Sequence, residues 1–294
     1  MIIFTDPHIE EKYLDELDDV FKEIYTKGVK GEEMVMIGDY YERVKLTPKE
    51  LFFGTQWAWK FAQKFKTTFV IGNHGLAGGE SIILYLKFVG INVIPEYLAE
   101  VGGKKVYFGH FMTNKSLFEY GSSAITVKEV EKKADYILLG HQHNPQELSP
   151  TVFHLGSCRY VNFNEVRDKE KQYATVDDFG KLMFYPIKSA TQMKDVYSSD
   201  ELSDILPNTK VRMVIKSYEQ FKKEINGLAQ WRDKFIEFKV KLDFEKPKAS
   251  TQVKREIKKE QSLEKLVYKW ISTIKDPDVQ QVLKEVFEDD TKKD

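Results

Sequence analysis

The chain has 294 residues, 41% hydrophobic and 31% charged, enough to bury one large core and still carry a smaller appended unit. A formal net charge of −1 excludes a grip on nucleic acid by bulk electrostatics alone, though not an enzyme whose bound cations offset an acidic centre. The single cysteine, Cys158, excludes an internal disulfide, and neither a membrane-length apolar run nor a basic-then-apolar leader is visible, so a soluble cytoplasmic protein is expected.

The first two-thirds of the chain alternate short apolar runs with helix-like segments, the pattern of a layered α/β domain. Met1–Thr5, Met34–Ile37, Thr68–Ile71, Val106–Phe108 and Tyr136–Leu139 read as buried strands. Between the first two, Leu14, Leu17, Phe21, Ile24 and Tyr25 fall at helical spacing, with Gly28 available to close the helix. Thr47-Pro48-Lys49-Glu50 combines an N-cap threonine, proline at N1 and glutamate at N3, and Thr126-Val127-Lys128-Glu129 repeats the capping box. In the helix after Thr47, Trp57 and Trp59 cannot share a face, so at least one is expected to pack in the core. Val152–Leu155 reads as a strand, and Gln172–Val176 with Lys181–Ile187 as a hairpin turning at Asp177–Gly180.

After Lys188 the texture changes. Ser189 to Asn208 is polar and reads as a linker; Val211–Ile215, a helix opened by Ser217, and Phe235–Leu242 suggest a small β-α-β unit. Glu245 to Thr251 reads as a hinge, followed by two helices. Leu263, Leu266, Val267, Trp270, Ile271 and Ile274 form an apolar stripe on the first, and Asp276-Pro277 starts the second. From Glu245 to Lys275, nine Lys/Arg stand against four Glu, the most basic stretch of the chain.

The polar residues that follow the strands carry the chemistry. Asp6-Pro7-His8, Gly38-Asp39, Gly72-Asn73-His74, Gly109-His110 and Gly140-His141-Gln142-His143 each come just after an apolar run, where α/β sheets form their ligand sites. Five of the six histidines lie in these clusters, so their concentration there is unlike a surface scatter. Imidazole, carboxylate and amide oxygen suit manganese, zinc or iron, and a carboxylate can bridge two ions that clamp a phosphoryl transfer. The glycines are expected to let the backbone turn and to leave room for phosphate. His154 is read as a packed strand residue and Cys158 as structural; Tyr40, Tyr41 and Arg43, just past Asp39, are candidates to border a substrate.

Asp-x-His, Gly-Asp, Gly-Asn-His, His and Gly-His-x-His, in this order, resemble the motif set of the calcineurin-like metallophosphoesterases. The resemblance implies a four-layer α-β-β-α sandwich. It implies that Asp6, His8, Asp39 and His143 hold one metal, and that Asp39, Asn73, His110 and His141 hold a second. His74 would then assist at the phosphate instead of binding metal. More narrowly, Gly140–Gln146 and His154–Glu165 are similar to segments of SbcD-type recombination and repair nucleases, phage relatives included, and Ser262–Phe287 is similar to the helices with which those grip an SMC-like ABC ATPase. That implies a two-metal DNA nuclease, exonucleolytic on duplex ends and endonucleolytic on single strands, with manganese first and magnesium, zinc or iron as alternatives. It also implies a homodimer without a membrane, located in the host cytoplasm for a phage chain.

The domains expected are 1–188 for the nuclease, 189–246 for a small capping unit that selects the DNA end, and 247–294 for ATPase binding. Tyr41, Glu42 and Arg43 are the candidate substrate contacts. Two departures from the family stand out: Gly75 replaces the acidic residue usual after Gly-Asn-His, and Glu42 sits where some relatives carry a catalytic histidine. Two other readings stay open, a phosphoesterase for small molecules or proteins and an inactive binding subunit.

Overall fold

The computed structural model describes residues 1–116, 125–165, 170–224 and 227–243, with a few positions between 271 and 284. Two compact units divide the chain, Met1–Thr191 and Gln192–Asp294. Among the described residues no helix is long and apolar enough to cross a membrane.

The first unit begins with β1 (Ile2–Thr5), α1 (Leu14–Lys27), β2 (Glu33–Ile37), α2 (Pro48–Lys64) and β3 (Lys66–Val70). A two-residue hairpin of β4 (Leu76–Ala77) and β5 (Glu80–Ser81) follows, then β6 (Asn92–Ile94), β7 (Tyr97–Val101) and β8 (Lys104–Gly109). After α3 (Val127–Val130) come β9 (Tyr136–Leu139), β10 (Gln146–Ser149), β11 (Val152–His154), β12 (Gln172–Val176) and β13 (Leu182–Pro186). Six strands form one sheet in the order β13-β12-β1-β2-β3-β6, and five form another in the order β10-β11-β9-β8-β7.

The period of two along the strands decides how these sheets stack. Ile3, Val35, Ile37 and Val70 point one way and share a core with Val106, Phe108 and Leu138 of the second sheet. Phe4, Met34, Met36 and Phe69 point the other way, toward Leu17, Val20 and Phe21 of α1 and Trp57 and Phe61 of α2. Phe4 meets the Phe21 and Phe61 rings at centroid distances of 5.9 and 5.8 Å, so truncating Phe61 to alanine would cost about 3–5 kcal/mol. On the outer face of the second sheet, Tyr107, Ile137 and Leu139 pack with Val127 and Val130 of α3. Helices, sheet, sheet and helix thus make the α-β-β-α sandwich. Trp57 is buried, while Trp59 is exposed.

Local signals fix the helix starts. Both capping boxes are formed: Thr47 Oγ1 accepts from the Glu50 N–H while Glu50 accepts from the Thr47 N–H, and Thr126 and Glu129 do the same. The β12–β13 hairpin turns where Asp177 Oδ1 accepts from the Phe179 and Lys181 N–H groups.

The second unit corrects the reading of Ser189–Asn208 as a linker. Within it lie β14 (Met193–Val196) and a 3-10 turn over Ser199–Asp204. β14 pairs in parallel with β15 (Lys210–Ile215), which pairs in parallel with β16 (Glu237–Leu242). α4 (Tyr218–Glu224) and α5 (Ala229–Arg232) fill the β15–β16 crossover. Polar composition hid β14 because only its two ends, Met193 and Val196, are buried. Ile271, one of the stripe expected to face a partner, is buried in this unit's core with Val196, Met213 and Phe235. The Glu245–Thr251 hinge and most of the two terminal helices lie outside the described residues.

Candidate metal centre

Asp6–His8, Asp39 and Asn73–His74 follow β1, β2 and β3 of the six-stranded sheet; His110 and His141–His143 follow β8 and β9 of the five-stranded one. These five strands run parallel within their sheets, so each sheet contributes its C-terminal edge to one site. Pairing of β1 with β2 continues into the loops through the His8 N–H to Asp39 carbonyl and Ile9 N–H to Tyr40 carbonyl bonds, at 3.0 and 2.9 Å. Asp6 and His8, both at φ 48°, and His141, at φ 77°, occupy the left-handed region. That conformation costs on the order of 1–3 kcal/mol per non-glycine residue and clusters at functional sites.

Asp39 is the hinge of the site. Its Oδ1 accepts the His74 backbone N–H at 2.7 Å. Its Oδ2 stands 3.8 Å from His8 Nε2 and 3.4 Å from His110 Nε2. Two donor trios result, His8–Asp39–His74 and Asp39–His110–His141, each with one ligand atom per residue within 4.8 Å of the others. His74, given a non-ligand role by the resemblance, is therefore near enough to His8 and Asp39 to serve as a donor. Its Nδ1–H donates to the Glu42 carbonyl at 2.7 Å.

The donors fit divalent cations. Glu42 Oε2 takes the His8 Nδ1–H at 2.5 Å, and Glu165 Oε1 takes the His143 Nδ1–H at 3.1 Å. With those protons committed, the two Nε2 atoms face each other at 2.9 Å. Opposed lone pairs at that range repel, and a shared proton or a metal cation removes the repulsion. On the other side, His110 Nε2–H donates to Asp6 Oδ1 at 2.9 Å, and the Asp6 Oδ2 takes the His141 N–H at 3.0 Å. His141 Nδ1–H donates to Asn73 Oδ1 at 2.7 Å.

Charge follows the same geometry. Burial pushes the His110 pKa down, but the Asp6 and Asp39 carboxylates beside it prevail and raise it to about 10. Burial pushes Asp6 and Asp39 up, and the His110 cation outweighs it, holding both below the usual carboxylate range. Burial lowers His8, partly offset by Glu42, and lowers His141 with help from the His110 charge. The two carboxylates therefore favour positive charge at this half of the centre, and a metal ion held through His110 Nε2 would take the place of the proton there.

Several residues take places other than those expected. Tyr41 is buried, its hydroxyl bonded to that of Tyr85 at 2.5 Å, so it packs in the core; Tyr40 is buried too, donating to the Gly54 carbonyl. Glu42 serves His8, and Arg43 pairs with Glu50 at 2.9 Å. The room left by glycine goes to ligands more than to phosphate: a Cβ at Gly38, which has φ 80°, would overlap the His110 ring, and one at Gly140 would lie 2.7 Å from His110 Cδ2. His154 is packed as expected, its Nδ1–H donating to the Gly140 carbonyl at 3.1 Å while Ser116 Oγ–H donates to Nε2 at 2.7 Å. Burial pushes the Cys158 thiol up to about 12, which removes it as a nucleophile.

Sequence reasoning missed the groups behind the ligands, Arg159, Glu165 and Lys171, and a cavity of about 230 Å³ beside His141 and His143. Gln142, Asn144, Asn162 and Asn164 line that cavity; Gln142 Nε2 and Asn144 Oδ1 are buried without a hydrogen-bond partner among the described residues.

Residues 1–145 match the family model described as calcineurin-like phosphoesterase. No curated protein matches the chain. Among solved structures, an archaeal phosphodiesterase aligns at 16% identity and TM-score 0.41 over 63% of this chain and 99% of its own. A hypothetical protein of Pyrococcus horikoshii aligns at 12% and 0.39, over 64% of this chain and 87% of its own. Vps29 of Entamoeba histolytica complexed with zinc aligns at 11% and 0.33, over 63% and 97%. That match spans every residue of the histidine–carboxylate centre and supports a calcineurin-like phosphoesterase domain in this part of the chain.

Proposed function

We propose that this chain is a two-metal DNA nuclease of the SbcD type, cutting phosphodiesters at duplex ends and in single strands. The observation that carries the two-metal reading is Asp39 Oδ2, which one carboxylate places within 3.8 Å of His8 and 3.4 Å of His110. Asp6, His8, Asp39 and His143 would hold one ion, and Asp39, Asn73, His110 and His141 the other, with manganese first among the candidates. When bound, the ions supply Lewis-acid activation of water and neutralise charge developing on the phosphoryl oxygens. His74 keeps Nδ1–H on the Glu42 carbonyl, which leaves Nε2 to hold or deliver a proton at the leaving oxygen. DNA as substrate is supported by the likeness of residues 140–146 and 154–165 to repair nucleases. By the same likeness the second unit selects DNA ends, the terminal helices bind an SMC-like ABC ATPase, and the chain acts as a cytoplasmic homodimer.

Burial of Ile271 within its own unit favours a second reading, a phosphodiesterase for small molecules whose tail packs at home. Digestion of end-labelled linear duplex DNA with manganese, with the His141→Ala variant as control, separates the two. Manganese-dependent degradation lost in the variant supports the nuclease. Intact DNA alongside rapid hydrolysis of a small phosphodiester moves the substrate to the second reading.

A further inference from the structure

We propose that Arg159, Glu165 and Lys171, beyond the stretch matched by the phosphoesterase family, form a brace that presets one half of the metal centre, with Arg159 and Glu165 as positioning residues for His8 and His143. The proposal rests on the metal-centre reading above.

Arg159 is fully buried although cationic. Its Nε donates to the Pro7 carbonyl at 2.9 Å and its Nη2 to the His8 carbonyl at 2.7 Å. Behind it, the Tyr13 ring lies 4.5 Å from the guanidinium carbon and the Glu16 carboxylate 3.8 Å from Nη1. Burying a cation is expensive unless its donors are satisfied, and here two of them close on the turn in which Asp6 and His8 are left-handed. Arg159 thus ties down the strained loop that aims His8.

Glu165 and Lys171 do the same for His143. Glu165 Oε1 receives the His143 Nδ1–H at 3.1 Å and the Asn162 N–H at 2.9 Å. Glu165 Oε2 receives Lys171 Nζ at 2.6 Å. Lys171 Nζ also donates to the His143 carbonyl at 2.8 Å and to Ser157 Oγ at 3.1 Å. Ring and backbone of His143 are therefore held by one buried network, and its tautomer is set with the proton on Nδ1 and the lone pair on Nε2. A carboxylate behind a ligating histidine orients the ring and raises its basicity. His110 shows the contrast, since its Nδ1 is buried with no hydrogen-bond partner among the described residues.

A purely structural ion pair would sit in the same place, so the test reads each metal site separately. Manganese titration by calorimetry on the full chain should give two ions. In the Glu165→Gln/Lys171→Met variant, which removes both charges together and keeps similar volume, one ion should bind about 10- to 100-fold more weakly and the other as before. The site lost should be the one missing in His8→Ala. Both ions binding the variant with unchanged affinity would overturn the brace; a wild-type chain that binds no ion would instead defeat the metal reading itself. Should the variant fail to fold, imidazole nitrogen shifts of the unmodified protein decide: an Nδ1–H tautomer at His143 supports the brace, and an Nε2–H tautomer overturns it.

Discussion

The two halves of the centre are held in place by different physics. His8 and His143 each lean on a carboxylate, Glu42 and Glu165, and the loops behind them are tied down by Arg159 and Lys171. Behind His110 no partner meets Nδ1 among the described residues; its Nε2–H donates to Asp6 inside the centre, its ring is wedged against Gly38 and Gly140, where any Cβ would meet it, and His141 leans only on a neutral amide, Asn73. Hydrogen-bonded carboxylates fix a tautomer as well as a position. Steric wedging fixes position alone, so the proton on His110 is left to Asp6 and Asp39. One half should therefore fail through lost charge and the other through added volume.

The strongest way to break the comparison is to remove what both halves share. Asp39→Ala should abolish binding of both ions. If Lewis-acid stabilisation is worth several kcal/mol, at about 1.4 kcal/mol per tenfold, turnover should fall by roughly 10³-fold or more. Metal analysis with phosphodiester turnover checks this, and a variant that keeps one ion and near-normal rate would show that Asp39 is not shared. Next comes the wedge. Gly38→Ala places a Cβ into His110 from a left-handed backbone, which costs about 1–2 kcal/mol from handedness alone. It should cost the ion of the His110–His141 half and spare the other, read as stoichiometry falling from two to one. Smaller again is Glu42→Gln, which keeps an acceptor for His8 but removes its charge. It should weaken the ion of the His8–His143 half by about tenfold and leave the wedge half untouched. Equal weakening of both would erase the distinction between the halves.

Much of the centre was legible because its signal is local. Each of Asp6, His8, Asp39, Asn73, His74, His110, His141 and His143 stands directly after an apolar run, and a strand end is a place that sequence can locate. The brace was not legible, because Arg159 meets Pro7 and His8 across some 150 residues, 152 and 151 apart, and no periodicity encodes such a pairing. Tyr41 shows the converse error. Loop position beside Asp39 suggested a ring at the border of a substrate, yet the chain turns it inward to meet Tyr85, and only the packed core reveals that. β6, β7 and β10 went unread for a different reason: the first has three residues, and the other two, edge strands, are only partly buried. The layered fold was within reach because the remaining strands of the two sheets carry its apolar period.

A further effect is confined to acid, vanishes at neutral pH and concerns the wedge half alone. His154 donates to the carbonyl of Gly140, the residue that packs on His110 and precedes His141. Burial lowers its pKa to about 4, against an ordinary value of 6.5. Below 6.5 the unfolded chain takes up a proton that the folded chain refuses, so stability is complete above that pH and drains away as pH falls toward 4. A shift of that size corresponds to on the order of 3 kcal/mol at the acid end. His154→Gln keeps a neutral donor for Gly140 and an acceptor for Ser116 without a titrating ring. Thermal melts from pH 7 to pH 4 should therefore fall more steeply for the wild type than for this variant, with the two curves closest at pH 7. Parallel curves would mean that acid reaches the fold by another route, and that His154 supports the wedge half through shape alone.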